Sequence, residues 1–137
     1  MIEYQNAFIG PDSVIECDVK HPVYGWISTT LVKDDSFDNG AYSIPELYTH
    51  IYKSHDLKPL PRHIVDARAG YAARNDRDRL LKTRVDPIAN NVFRFSALDR
   101  VQSKQLQDYR QALLDLPEQP GFPHNIVWPK LPEFIAS

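Results

Sequence analysis

Residues 98–132 read LDRVQSKQLQDYRQALLDLPEQPGFPHNIVWPKLP, and the fold turns on where this stretch changes rhythm. Leu106, Tyr109, Leu113 and Leu116 recur at steps of three, four and three, the spacing that lines one face of a helix. Lys104, Gln107, Asp108, Gln111 and Asp115 fall between them. The spacing predicts a helix over 98–116. Pro117 and then Pro120-Gly121 end it, because proline lacks the N–H that a helix interior needs. Beyond the stop, Phe122, Ile126, Trp128 and Phe134 stand among Pro123, Pro129 and Pro132. Burying each large apolar side chain is worth roughly 1.5–3 kcal/mol. An extended, proline-rich C-terminal tail is therefore expected to lie in a groove, of this chain or of a partner. Tyr109 and Leu113 are one turn apart and supply a wall. Phe122, Ile126 and Trp128 are expected to fold back over it, with Arg110 beside Tyr109 to meet an acid or the tail carbonyls.

Upstream, residues 64–84 are rich in helix formers. Asp66 is read as the cap, and Arg74 with Asp78 and Asp78 with Lys82 as pairs four residues apart. Asp86-Pro87 is expected to end this helix; residues 87–95 carry no clear signal. Ser96, with Asp99 three residues on, announces the next helix. Ser43 and Glu46 form a capping-box pattern before a short helix ending near His55, whose apolar face is Leu47, Tyr48, Ile51 and Tyr52. Residues 56–62 (DLKPLPR) read as a linker and 34–42 (DDSFDNGAY) as a polar loop.

The N-terminal third alternates instead. Ile15, Cys17 and Val19 face one way, and Glu16, Asp18 and Lys20 the other. Before them, Ile2, Tyr4 and Phe8 sit on alternate positions and Gly10-Pro11-Asp12 makes a turn. After His21-Pro22, residues 23–32 are rich in β-branched and aromatic side chains. The expectation is an α+β chain. A small antiparallel β unit of about three strands (residues 1–42) leads through a short helix and linker (43–62) to a helical region with the extended tail (63–137). The whole would contain about three helices.

Composition narrows the function. The chain has 137 residues, 16 basic and 18 acidic, for a net charge of −2. That balance argues against a nucleic-acid partner and offers no attraction to anionic membranes. No run approaches the roughly 18 apolar residues of a membrane span. The start, MIEYQNAFIGPDS, lacks the basic and apolar regions of a signal peptide. Cys17 is the only cysteine, so no intrachain disulfide forms, and a buried thiol suits a reducing compartment. His21, His50, His55, His63 and His124 show no metal-ligand spacing. Asp34, Asp35 and Asp38 lack the alternation and closing glutamate of a calcium loop. No nucleophile elbow, phosphate loop or dinucleotide fingerprint occurs. Arg74, Arg77, Arg79, Lys82 and Arg84 are interleaved with Asp76, Asp78 and Asp86, which reads as a salt-bridged surface. The expectation is a binding protein, not an enzyme, with no cofactor and no metal.

Residues 107–132 also resemble the C-terminal signature of the phage tail assembly chaperone family. The residues that carry the resemblance are Tyr109 to Asp115 (YRQALLD), then Pro117, Phe122-Pro123 and Trp128-Pro129. RDRLL at 77–81 looks like the family's first helix, and HPVYGWISTT at 21–30 resembles a segment found ahead of it. The resemblance implies a protein that assists phage tail or tail-fibre assembly in the host cytoplasm. Its partner would be a tail, tail-fibre or baseplate protein, with self-association a further option. A structural subunit retained in the virion tail is the alternative. Candidate partner-binding residues are Tyr24, Trp26, Tyr109, Arg110, Phe122, Trp128 and Phe134, because aromatic residues and arginine dominate binding hot spots.

Overall fold

Ile15, Cys17 and Val19 are all buried on one side of β2 (Ile15–His21), as two-residue alternation requires. The computed structural model describes residues 1–35 and 40–136. Two compact units divide the chain, Met1–Val65 and Asp66–Ser137. Strands come first and helices follow, so the α+β class holds.

In the first unit β1 (Tyr4–Ile9) pairs antiparallel with β2, Tyr4 opposite Val19 and Ile9 opposite Ile15. The register shifts between Gln5 and Phe8. Asn6 sits there at φ 54°, a left-handed conformation that asparagine tolerates better than most residues. The irregularity turns Ala7 into the core at 5% exposure. Phe8, expected to share a face with Ile2 and Tyr4, instead lies beside Asn6, Glu16, Asp18 and Ser28. β3 (Gly25–Leu31) pairs with β2 without a break, from Gly25 opposite His21 to Leu31 opposite Ile15. It starts at Gly25, not Val23, because the chain reverses there with Gly25 at φ +71°, where a Cβ would be strained. A fourth strand, β4 (Lys58–Pro59), runs parallel to Phe8–Ile9 within the segment read as a linker. The sheet order is β3-β2-β1-β4. The expected loop at 34–42 falls partly on residues 36–39, Asp38 among them, which lie outside the described residues.

α1 (Ile44–Tyr52) packs its Ile44, Leu47, Tyr48 and Ile51 onto Ile15, Val19 and Leu31. Ser43 caps it, accepting from the Glu46 N–H at 3.5 Å. Tyr52, counted on the apolar face, is 59% exposed and stacks on Tyr48. The Tyr48 hydroxyl donates to the Ser13 carbonyl at 2.6 Å, pinning the helix to the β1–β2 turn.

α2 (Arg62–Leu80) begins four residues before Asp66, directly after Pro61. Asp66 is thus inside the helix, and its carboxylate meets His124 instead of an N-terminal amide. The charge pairs differ too: Arg77 binds Asp78 at 2.9 Å and Arg79 binds Asp76 at 3.6 Å. The helix does not end before Pro87. It passes through a π-helical turn, Leu81–Val85, into α3 (Asp86–Ala89), where Pro87 occupies the first turn and costs no hydrogen bond. α4 (Val92–Ser96) follows, capped by Asn91. The two short helices raise the number well above the three expected.

α5 (Arg100–Leu114) starts at a full capping box, the Asp99 carboxylate with the Gln102 N–H and the Gln102 side chain with the Asp99 N–H. Leu106, Tyr109 and Leu113 are buried on it, and Leu116 follows in a 3-10 turn, Leu116–Glu118. These side chains build the second core with Val85, Ile88 and Ile135. Residues 126–132 have no regular secondary structure, and α6 (Glu133–Ala136) ends the described chain.

Candidate functional site

One face of α5 remains open beside the second core. Gln102, Gln105, Asp108, Tyr109 and Ala112 recur at helical spacing and form one wall of a cleft of about 670 Å³. The other wall is residues 129–134, from Pro129 to Phe134. Leu131 and Phe134 turn toward Val85, Leu106 and Tyr109 and anchor this segment. The lining mixes side-chain amides, the aliphatic Ala112 and Leu131, and the charges of Asp108, Lys130 and Glu133. Asp108 is already bridged to Lys104 at 3.2 Å. Amide groups beside apolar surface suit a peptide chain, whose backbone needs donors and acceptors and whose side chains need cover.

The segment between α5 and the cleft folds on itself and on α2. The Gln119 side chain donates to the Val127 carbonyl at 2.8 Å and accepts from the Val127 N–H at 2.9 Å. Phe122 lies against Gly70, and the Arg74 guanidinium sits 5.1 Å from its ring centre, a favourable cation–π placement. His124 Nε2 and the Asp66 carboxylate are 2.5 Å apart.

The seven candidate residues are thus dispersed. Tyr109 and Phe134 meet at the cleft. Tyr109 is 5% exposed, and burial raises its phenol above the ordinary value although Arg84 works the other way. Arg110 is exposed on α5. Phe122, expected over Tyr109 and Leu113, packs on α2 instead. Trp128 is 39% exposed and is not part of the second core. Tyr24 and Trp26 belong to the first unit, Tyr24 74% exposed with its ring tilted against His21 and Trp26 on the solvent side of β3. Sequence reading missed Gln102, Gln105 and Lys130 in the cleft, and the exposed Val92 and Phe93 of α4. Gln102 and Gln105 share the helical spacing of Tyr109, so the period that found the core also points to them.

No catalytic arrangement accompanies the cleft. Among the described residues no group of three or more histidine, cysteine, aspartate or glutamate side chains is placed to hold a metal. Cys17 is buried, and burial, with Asp18 beside it, pushes its thiol up to about 11. Among the described residues no helix is long and apolar enough to cross a membrane.

An amphipathic helix closed by a returning C-terminal segment, with an open cleft between them, defines the second unit as a helical module of the peptide-groove class. Residues 70–133 match the family model described as phage tail assembly chaperone protein. The resemblance carried by Tyr109–Trp128 is therefore shown, and the C-terminal half of the chain carries that family's domain. The match supports a general role in phage tail assembly. No curated protein and no solved structure matches the chain.

Proposed function

We propose that this protein is a tail assembly chaperone that holds an unassembled tail or tail-fibre protein in the host cytoplasm and acts without ATP. The family match over residues 70–133 carries this reading. The cleft between α5 and residues 129–134 is where an extended segment of the partner would lie, with the proline-rich segment serving as a stiff strap along the helix. Differential affinity for unassembled and assembled partner would then supply the work, since a ligand shifts an equilibrium only by that difference. No enzymatic step, cofactor or metal enters the proposal.

Two experiments test it. Tagged protein expressed during infection should retain a tail protein, and Trp128→Ala should reduce the amount retained. Full retention by a well-folded Trp128→Ala variant would remove the strap from the interface. Mass spectrometry of purified virions decides between transient and permanent binding. A chaperone is absent from mature particles, whereas stoichiometric presence would make it a baseplate or tail-fibre adaptor.

A further inference from the structure

The sheet of the first unit has two edges that differ in kind. β4 is two residues long, and those residues are lysine and proline. Short length, lysine and proline are the devices that stop a sheet edge from recruiting another strand. β3, at the opposite edge, has none of them. It runs seven residues, GWISTTL, without a charge, a proline or a bulge. Its register with β2 is unbroken, and among the described residues no backbone partner other than β2 is recorded for it. The outward N–H and C=O groups of such a strand are a template for one more strand.

We infer that β3 pairs antiparallel with β3 of a second copy about a two-fold axis at Ser28, joining two four-stranded sheets into one. Ser28 is the midpoint of Gly25–Leu31, so this register uses the whole strand. It also keeps each side chain on its own face, which a one-residue slip would not. Trp26 then stands opposite Thr30 of the copy twice, and Ile27 opposite Thr29 twice. Aromatic with β-branched neighbours are favourable cross-strand pairs. Charge favours the same occupant. Lys20 neighbours Trp26 and Glu16 neighbours Thr30 within each sheet. The two-fold therefore ends each outer row with Lys20 of one copy and Glu16 of the other. The only like charges in one row are the two Asp18 carboxylates. They are three strand spacings apart, roughly 14 Å, beyond a screening length of about 8 Å.

The register gives a sharp test on the full chain. W26E/T30K places opposite charges across the two-fold, and W26E/T30E places like charges there. Positions 26 and 30 are both exposed, so both variants are expected to fold, which circular dichroism and thermal melting verify. Sedimentation velocity across a concentration series should give wild-type protein a mass twice 15.8 kDa. W26E/T30K should stay dimeric. W26E/T30E should dissociate with a constant raised by about tenfold or more, from two repulsive pairs. A wild-type monomer at every concentration would overturn the inference. So would a dimer that both variants weaken equally. Neither result bears on retention of a tail protein, so this pairing and the proposed function stand or fall separately.

Discussion

Cys17 is 4% exposed, and desolvation, aided by the Asp18 charge, raises its thiol from an ordinary 9.0 to about 11. The thiolate is the reactive form, so native protein should react with a disulfide reagent near pH 8 only through opening of the first unit. Denaturant should restore the rate of a free thiol, and rapid labelling of native protein would contradict the burial. Because the folded value is the higher one, the stability it represents is complete below about pH 9 and is lost as pH rises toward 11. Two glycines make an opposed pair. A Cβ on Gly121 would stand 2.3 Å from the Asn125 carbonyl oxygen, which is backbone and cannot move aside. Gly121→Ala should cost about 1–3 kcal/mol, as overpacking does. A Cβ on Gly70 would meet only the Arg74 guanidinium tip at 3.1 Å and the Phe122 ring at 3.5 Å. The arginine tip can swing, and alanine is the better helix former by up to about 1 kcal/mol. Gly70→Ala should therefore be neutral or stabilising in a urea melt. A large loss there would mean that Phe122 is held more tightly than the spacing indicates.

At the scale of elements, Asp18 joins three strands. Its carboxylate accepts from Asn6 Nδ2 on β1 at 3.0 Å and from the Ser28 hydroxyl on β3 at 2.9 Å. These bonds hold it below the usual carboxylate range. The stabilisation is thus complete above an ordinary aspartate value and is lost as pH falls through the lowered one. Asp18→Asn should flatten the acid limb of the stability curve; an unchanged limb would leave the bonds without effect. On α5, Asp99→Ala removes the acceptor for the Gln102 N–H and should cost about 1 kcal/mol in denaturant melts. How much could be read in advance follows from which signals are local. Leu106, Tyr109 and Leu113 were legible because a period of 3.6 admits one buried face. Ile15, Cys17 and Val19 were legible because a period of two does the same. The strap was not, since a proline-rich segment has no period to say which apolar residues turn inward. Leu131, Phe134 and Ile135 do so, while Trp128 stays half in water. β4 was illegible because a two-residue strand exists only through its partner, Phe8–Ile9. Asp66 was misread as a cap because the chain enters α2 behind Pro61, and the carboxylate found His124 from 58 residues away. Of the candidate site, the α5 wall could be read from spacing, but the facing wall could not.

The whole chain carries two cores that share no residue, one around Ile15, Leu31, Leu47 and Ile51, the other around Val85, Leu106, Leu113 and Ile135. Each lies within its own unit. Cooperative unfolding follows shared burial, so two separate cores are expected to open separately. Leu113 has no exposed surface, and cutting it to alanine should destabilise by about 2–5 kcal/mol through lost burial and the cavity left behind. That loss should be confined to residues 66–137. Cys17, the only cysteine and buried in the first core, reports on the other unit without any label being engineered. In Leu113→Ala protein, amide exchange along α5 should accelerate while protection of the Cys17 thiol stays at the wild-type level. The reciprocal change, Leu47→Ala in the first core, should expose Cys17 and leave α5 protected. If Leu113→Ala deprotects the thiol to the same degree as α5, the two cores fold as one. The family match over residues 70–133 could not then be treated as a module whose binding is separable from the sheet.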